Sequence, residues 1–122
     1  MTDRSPRDPA GVLPLTHVVY YVLLALAKEN RHGYGIIKDV ADRTEGRVQL
    51  EAGTLYAAIK RMKDDGLIED APTRRGADPR RRTYAVTPFG REVLHAESRR
   101  LESMVELARE ANVLPRVKPA RA

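Results

Sequence analysis

The sequence has 122 residues, 42% hydrophobic and 32% charged, and its 22 Lys+Arg outnumber its 17 Asp+Glu for a net charge of +5. That length allows one globular domain with a modest core, and the longest apolar run, Val18 to Ala27, stops at ten residues, well short of the roughly 18 a membrane span needs. Without cysteine there are no disulfides, thiolate metal sites or cysteine nucleophiles, and the start Met1-Thr2-Asp3-Arg4-Ser5-Pro6 has no apolar signal segment, so the expected location is cytoplasmic.

Residues 1–14, with Pro6, Pro9, Gly11 and Pro14, read as an irregular lead-in. From Thr16 to Glu29 the apolar spacing of Val19, Val22, Leu23 and Leu26 predicts a helix. Its flanks, Tyr20, Tyr21 and Leu24, are apolar too, so this helix is either central to the core or shares a second face with another chain. Gly33-Tyr34-Gly35 reads as a break, followed by a short amphipathic helix through Ile36, Ile37, Val40 and Ala41 to about Thr44. Val48-Gln49-Leu50 alternates as a short strand would.

Leu55, Ile59 and Met62 then define a third helix, closed at Asp65-Gly66 by glycine. Leu67 to Ala71 and Arg82 to Thr87 read as two strands joined by an arginine-rich loop with Gly76 and Pro79 as turn residues. The last element is a long helix from Pro88 to about Asn112, with Thr87 as N-cap and Pro88 at its first position. Pro115 and Pro119 forbid further helix, leaving 113–122 as a flexible basic tail.

The positive charge is local. Residues 73–82 hold five arginines and one aspartate, a net +4, and the tail adds +3 through Arg116, Lys118 and Arg121. Three short helices followed by a hairpin is the layout of a winged helix-turn-helix, in which the third helix enters the major groove and the hairpin meets the neighbouring backbone or minor groove. With Leu55, Ile59 and Met62 facing inward, Thr54, Tyr56, Lys60, Arg61 and Lys63 lie on the sides and outer face, where donors reach base edges and cations pair phosphates. Gly53 would let a phosphate approach the free amides of the helix start. Arg74, Arg75, Arg80, Arg81 and Arg82 form the cationic hairpin, their planar groups suited to phosphate and to a narrow minor groove.

These residues also carry a family resemblance. Gly33-Tyr34-Gly35-Ile36, Gly53-Thr54-Leu55-Tyr56, Ile59-Lys60-Arg61-Met62 with Asp65-Gly66-Leu67-Ile68, and Arg82-Thr83-Tyr84 with Val86-Thr87-Pro88-Phe89-Gly90 resemble, in order and spacing, the PadR-like transcriptional regulators over roughly residues 15–110. The resemblance implies a homodimeric repressor with a winged-helix head and a single C-terminal dimerisation helix, the short form of that family. By position it places Tyr34 near the DNA backbone and Gly53, Thr54, Tyr56 and Lys60 on the recognition helix. Two features depart from the pattern. Glu51-Ala52 stands where Ser-Pro is frequent, a poorer cap, and no tryptophan is present to stack flat aromatic ligands at a dimer interface.

The last helix agrees with dimerisation on its own residues. Leu94, Leu101 and Ala108 recur every seven positions, as do Met104 and Ala111, with Val105 widening the stripe. Tyr20, Tyr21 and Leu24 on the first helix are the expected partner surface. The chain thus divides into a lead-in (1–14), a winged helix-turn-helix (15–87), a dimerisation helix (88–112) and a tail (113–122), mainly α with a small β-hairpin.

The expected function is a cytoplasmic DNA-binding regulator. It would be a homodimeric repressor on an inverted-repeat operator, released by a signal or an unidentified small-molecule effector. The alternative is a winged helix used as a protein-interaction module. A MarR-like chain would carry dimerisation helices at both ends, which the lead-in does not supply. No enzyme, metal site or cofactor is expected. His17, His32 and His95 are scattered, Asp64-Asp65 and Glu69-Asp70 are adjacent residues that point apart, and Gly33-Tyr34-Gly35 lacks the Gly-Lys-Ser/Thr ending of a phosphate loop.

Overall fold

A computed structural model of the chain describes residues 7–72 and 81–116. Four helices, α1 (His17–Lys28), α2 (Gly33–Arg43), α3 (Ala52–Asp64) and α4 (Pro88–Glu110), surround a three-stranded antiparallel sheet. Its strands are β1 (Arg31–His32), β2 (Ile68–Ala71) and β3 (Thr83–Val86), in the order β1-β3-β2.

Helix α1 starts where Thr16 accepts the Val19 N–H on its side chain, and it buries Val22, Leu23, Ala25 and Leu26. It packs against α2, α3, α4 and β3, so it is the centre of the head. Helix α3 turns Leu55, Ile59 and Met62 inward. Its end is a Schellman closure: the Leu67 N–H reaches the Met62 carbonyl, the Gly66 N–H reaches that of Lys63, and Gly66 takes φ +76°. Leu67, just beyond, is buried beside Met62 in the core.

Two expectations are corrected. Gly33-Tyr34-Gly35 does not break the chain but forms the first turn of α2, capped by His32, whose Nδ1 accepts the Gly35 N–H at 3.0 Å. Val48-Gln49-Leu50 is not a strand. The Val48 N–H is taken by the Thr44 hydroxyl and Leu50 drops into the core, so the segment turns directly into α3.

The third strand lies instead at Arg31–His32, paired with Tyr84 and Thr83. Arg31 is held there by donation to the Ala25 carbonyl (2.9 Å) and by ion pairs with Asp39 and Glu29. The hairpin is shorter than its expected span and runs Ile68↔Val86 to Ala71↔Thr83. Thr87 leaves it to cap α4, accepting the Gly90 N–H while its hydroxyl donates to the Gly66 carbonyl at 2.6 Å.

The lead-in is more ordered than its prolines suggest. Pro9–Val12 form a 3-10 turn capped by Asp8, packed on α4. Arg7 donates to the Asp65 carbonyl and lies 4.4 Å over the Phe89 ring, a cation–π contact. At the far end, α4 stops at Glu110, where Asn112 takes φ 61° and the Val113 N–H returns to the Ala108 carbonyl. The arginines expected at 74, 75 and 80 and the tail cations Lys118 and Arg121 lie outside the described residues.

Candidate nucleic-acid interface

The inward phase of Leu55, Ile59 and Met62 leaves Gly53, Thr54, Tyr56, Lys60 and Arg61 exposed along α3. Lys63 is different. It reaches across to β2 and pairs with Asp70 at 2.8 Å, so its charge is engaged within the chain. Glu51 stands at the N-cap position and its side chain makes no cap hydrogen bond to the first amides of α3. A β-carbon built on Gly53 would meet none of the described residues within 4 Å. The described residues therefore give no packing reason for glycine in this exposed first turn.

The start of α2 and the base of the hairpin close in on the same side. Tyr34 is exposed and stacks on His32, with ring centroids 6.3 Å apart and planes within 17°. The Tyr56 hydroxyl lies against the bare Cα of Gly33. A cleft of about 410 Å³ results, lined by His32, Gly33, Tyr34, Tyr56, Arg81, Arg82 and Tyr84. A second one, of about 250 Å³, continues along α3 past Tyr56, Lys60, Lys63, Asp64 and Arg82. Tyr84 is buried at the back, and that burial is the largest cause of its hydroxyl titrating above the usual phenol range. Of the expected hairpin arginines, Arg81 and Arg82 stand exposed at this cleft. The structure thus brings Tyr34, Tyr56, Lys60, Arg81 and Arg82 onto neighbouring clefts, with Gly53, Thr54 and Arg61 exposed on the same helix. His32, not among the expected residues, joins them.

The expected dimer residues divide in two. Leu94 is buried in the head's own core, and Tyr20 is half-buried with its hydroxyl 2.8 Å from the Ser98 hydroxyl of α4. Tyr21 is also half-buried. Leu24, Met104 and Val105 are exposed, and Leu101 and Ala108 are half-buried on the projecting part of α4. Leu107, absent from the expected stripe, is 64% exposed there.

Between the two sets sits Glu97, a carboxylate that is only 1% exposed. It accepts the Leu15 N–H at 2.7 Å and pairs with Arg100. The hydrogen-bonded Arg100 guanidinium holds this carboxyl below the usual carboxylate range, with burial opposing and the Leu15 amide assisting.

No described helix is long and apolar enough to cross a membrane. Residues 22–96 match the family model described as the transcriptional regulator PadR-like family. A curated relative, Transcriptional regulator Rv3488 of Mycobacterium tuberculosis, is 38% identical over 82 residues, which span 66% of this chain and 59% of that protein. A PadR family transcription regulator from Clostridium difficile R20291 superposes with a TM-score of 0.65 at 24% identity, covering 78% of this chain and 97% of that one. Bacillus subtilis PadR, solved in complex with operator DNA, gives a TM-score of 0.58 at 21% identity over 87% of this chain and 51% of that one. Since the family model spans well over half the sequence, from the middle of α1 into α4, the chain belongs to the PadR-like family of transcriptional regulators.

Proposed function

We propose that the chain is a homodimeric repressor that places α3 in the major groove of an inverted-repeat operator and its basic hairpin on the flanking backbone. The observation that carries this reading is Gly53: an exposed glycine in a first helical turn, with no described residue where a side chain would stand. Glycine within a helix costs roughly 0.5–1 kcal/mol relative to alanine, so the reason for it lies in something that approaches from outside. Uncapped amides at a helix start favour an anion, and Tyr56, Lys60 and Arg61 continue the same exposed helix toward groove and phosphates. The operator complex of the Bacillus subtilis relative supports the same use of the fold.

The dimer reading rests on α4. This 23-residue helix buries Gly90 and Val93 in the head and leaves Met104, Val105 and Leu107 exposed beyond it. A continuous helix links seam and head, so an effector that alters the seam changes the spacing of the two recognition helices and releases the operator. Selecting bound fragments from the source genome and footprinting them tests the proposal. The expected result is two inverted half-sites with centres one helical turn apart, roughly 34–36 Å or a multiple. Fragments without any shared inverted repeat would contradict it.

A further inference from the structure

Two hydrogen-bond donors converge beside the start of α2. His32 accepts the Gly35 N–H on Nδ1 at 3.0 Å, and a ring nitrogen that accepts carries no proton, so the proton of the neutral imidazole sits on Nε2. That nitrogen lies 3.4 Å from Nη1 of Arg81, and a guanidinium only donates. The opposite tautomer would let Nε2 accept from Arg81 but would turn Nδ1 into a donor facing the Gly35 amide, breaking the shorter of the two contacts. The imidazole lies nearly parallel to the Tyr34 ring, their planes within 17°. Both donors line the 410 Å³ cleft, to which the described residues contribute two arginines and three tyrosines but no carboxylate.

What this arrangement lacks is one small anionic acceptor. We propose that His32 Nε2–H and the Arg81 guanidinium together seat a single phosphate group of the duplex DNA backbone, an inference that rests on the DNA-binding reading. Duplex rather than free phosphate is the ligand because the cleft shares Tyr56, Arg82 and Tyr84 with the one running along α3 past Lys60. A strand laid along the recognition helix therefore passes this point. His32 thereby does two things at once, closing the helix with one nitrogen and holding phosphate with the other.

The test separates these two roles. His32→Asn keeps an N-cap acceptor, asparagine being among the preferred caps, and removes the Nε2 donor; His32→Ser is the second variant with the same expectation. Both should keep the wild-type circular dichroism and lose duplex affinity on the order of tenfold, with the salt slope unchanged because a neutral donor displaces no counterion. Arg81→Ala should lose affinity and flatten the slope by about 0.9. The double variant should lose less than the product of the single losses, as partners on one phosphate do.

Folded His32 variants that bind duplex like wild type, or a double variant whose losses multiply, would overturn the seat. So would inorganic phosphate that shifts the His32 ring resonances as strongly as duplex does. Wild-type protein that ignores duplex at low salt would instead overturn the DNA-binding reading itself.

Discussion

The Tyr56 hydroxyl occupies the space that a β-carbon on Gly33 would need. The first turn of α2 and the exposed side of α3 are therefore fitted to one another through a missing side chain. Tyr56 is a flexible, half-exposed group, so Gly33→Ala should swing its ring away rather than unfold the protein. Stability should change by no more than about 1 kcal/mol, since alanine's better helix preference offsets part of the crowding. Duplex affinity should fall to the level of Tyr56→Ala, and combining the two changes should add nothing. Titrations of all three variants with labelled duplex check this; independent, additive losses would contradict it.

Gly90 presents the opposite case. A β-carbon there would run into the Leu67 carbonyl oxygen and come within 2.9 Å of Val86 Cγ2. These are backbone and packed core, which cannot rotate aside. Gly90→Ala should cost stability at the upper end of about 1–3 kcal/mol, seen as a lower urea midpoint at unchanged slope. A midpoint equal to wild type would mean that α4 does not sit this closely on the base of the hairpin.

Glu97 gives the fold a pH dependence whose sign is fixed. Its carboxyl titrates lower in the folded chain than in the unfolded one, chiefly through the Arg100 hydrogen bond. Its contribution is complete above the unfolded value of about 4.3 and is lost as pH falls through the folded value. Glu97→Ala strands the Leu15 amide and should cost about 1–3 kcal/mol at neutral pH. The gap between wild type and variant should narrow in acid. Urea midpoints measured from pH 7 to pH 3 check the trend, and a gap that widens below pH 4 would contradict it.

The two ends of the α4 stripe should respond differently to charge. Leu101→Asp and Met104→Asp place a carboxylate in the proposed seam outside the core and should yield folded monomers by analytical ultracentrifugation. Leu94→Asp buries that charge in the head and should abolish folding instead. Dimers that persist in both seam variants would show that the subunits meet elsewhere.

Much of this architecture is legible in the residue order because local and tertiary signals coincide. Thr16, Gly66 and Thr87 punctuate the helices where the apolar spacing begins or ends, and the phase of Leu55, Ile59 and Met62 alone assigns Gly53, Tyr56, Lys60 and Arg61 to the outside. Strand β1 is not legible. Arg31-His32 has no alternation to detect and becomes a strand only because β3 offers a free edge and Ala25 and Asp39 hold Arg31 there.

The glycines of Gly33-Tyr34-Gly35 mislead for a related reason. One is required by Tyr56 from another helix, and the other receives a cap from histidine, an unusual capping residue. In sequence Glu97 looks like an ordinary solvated charge and Lys63 like a cation turned toward DNA. Their partners Leu15 and Asp70 lie on other elements, and no local pattern reveals such contacts.

Duplex affinity measured against salt concentration tests whether the exposed side of α3 and the hairpin base engage a phosphate backbone. The logarithm of the binding constant should fall linearly with the logarithm of salt, by about 0.9 for each phosphate neutralised. Lys60→Ala and Arg82→Ala should each make the slope shallower by about that amount. A flat response, or no binding to duplex even at low salt, would show that this surface does not hold DNA.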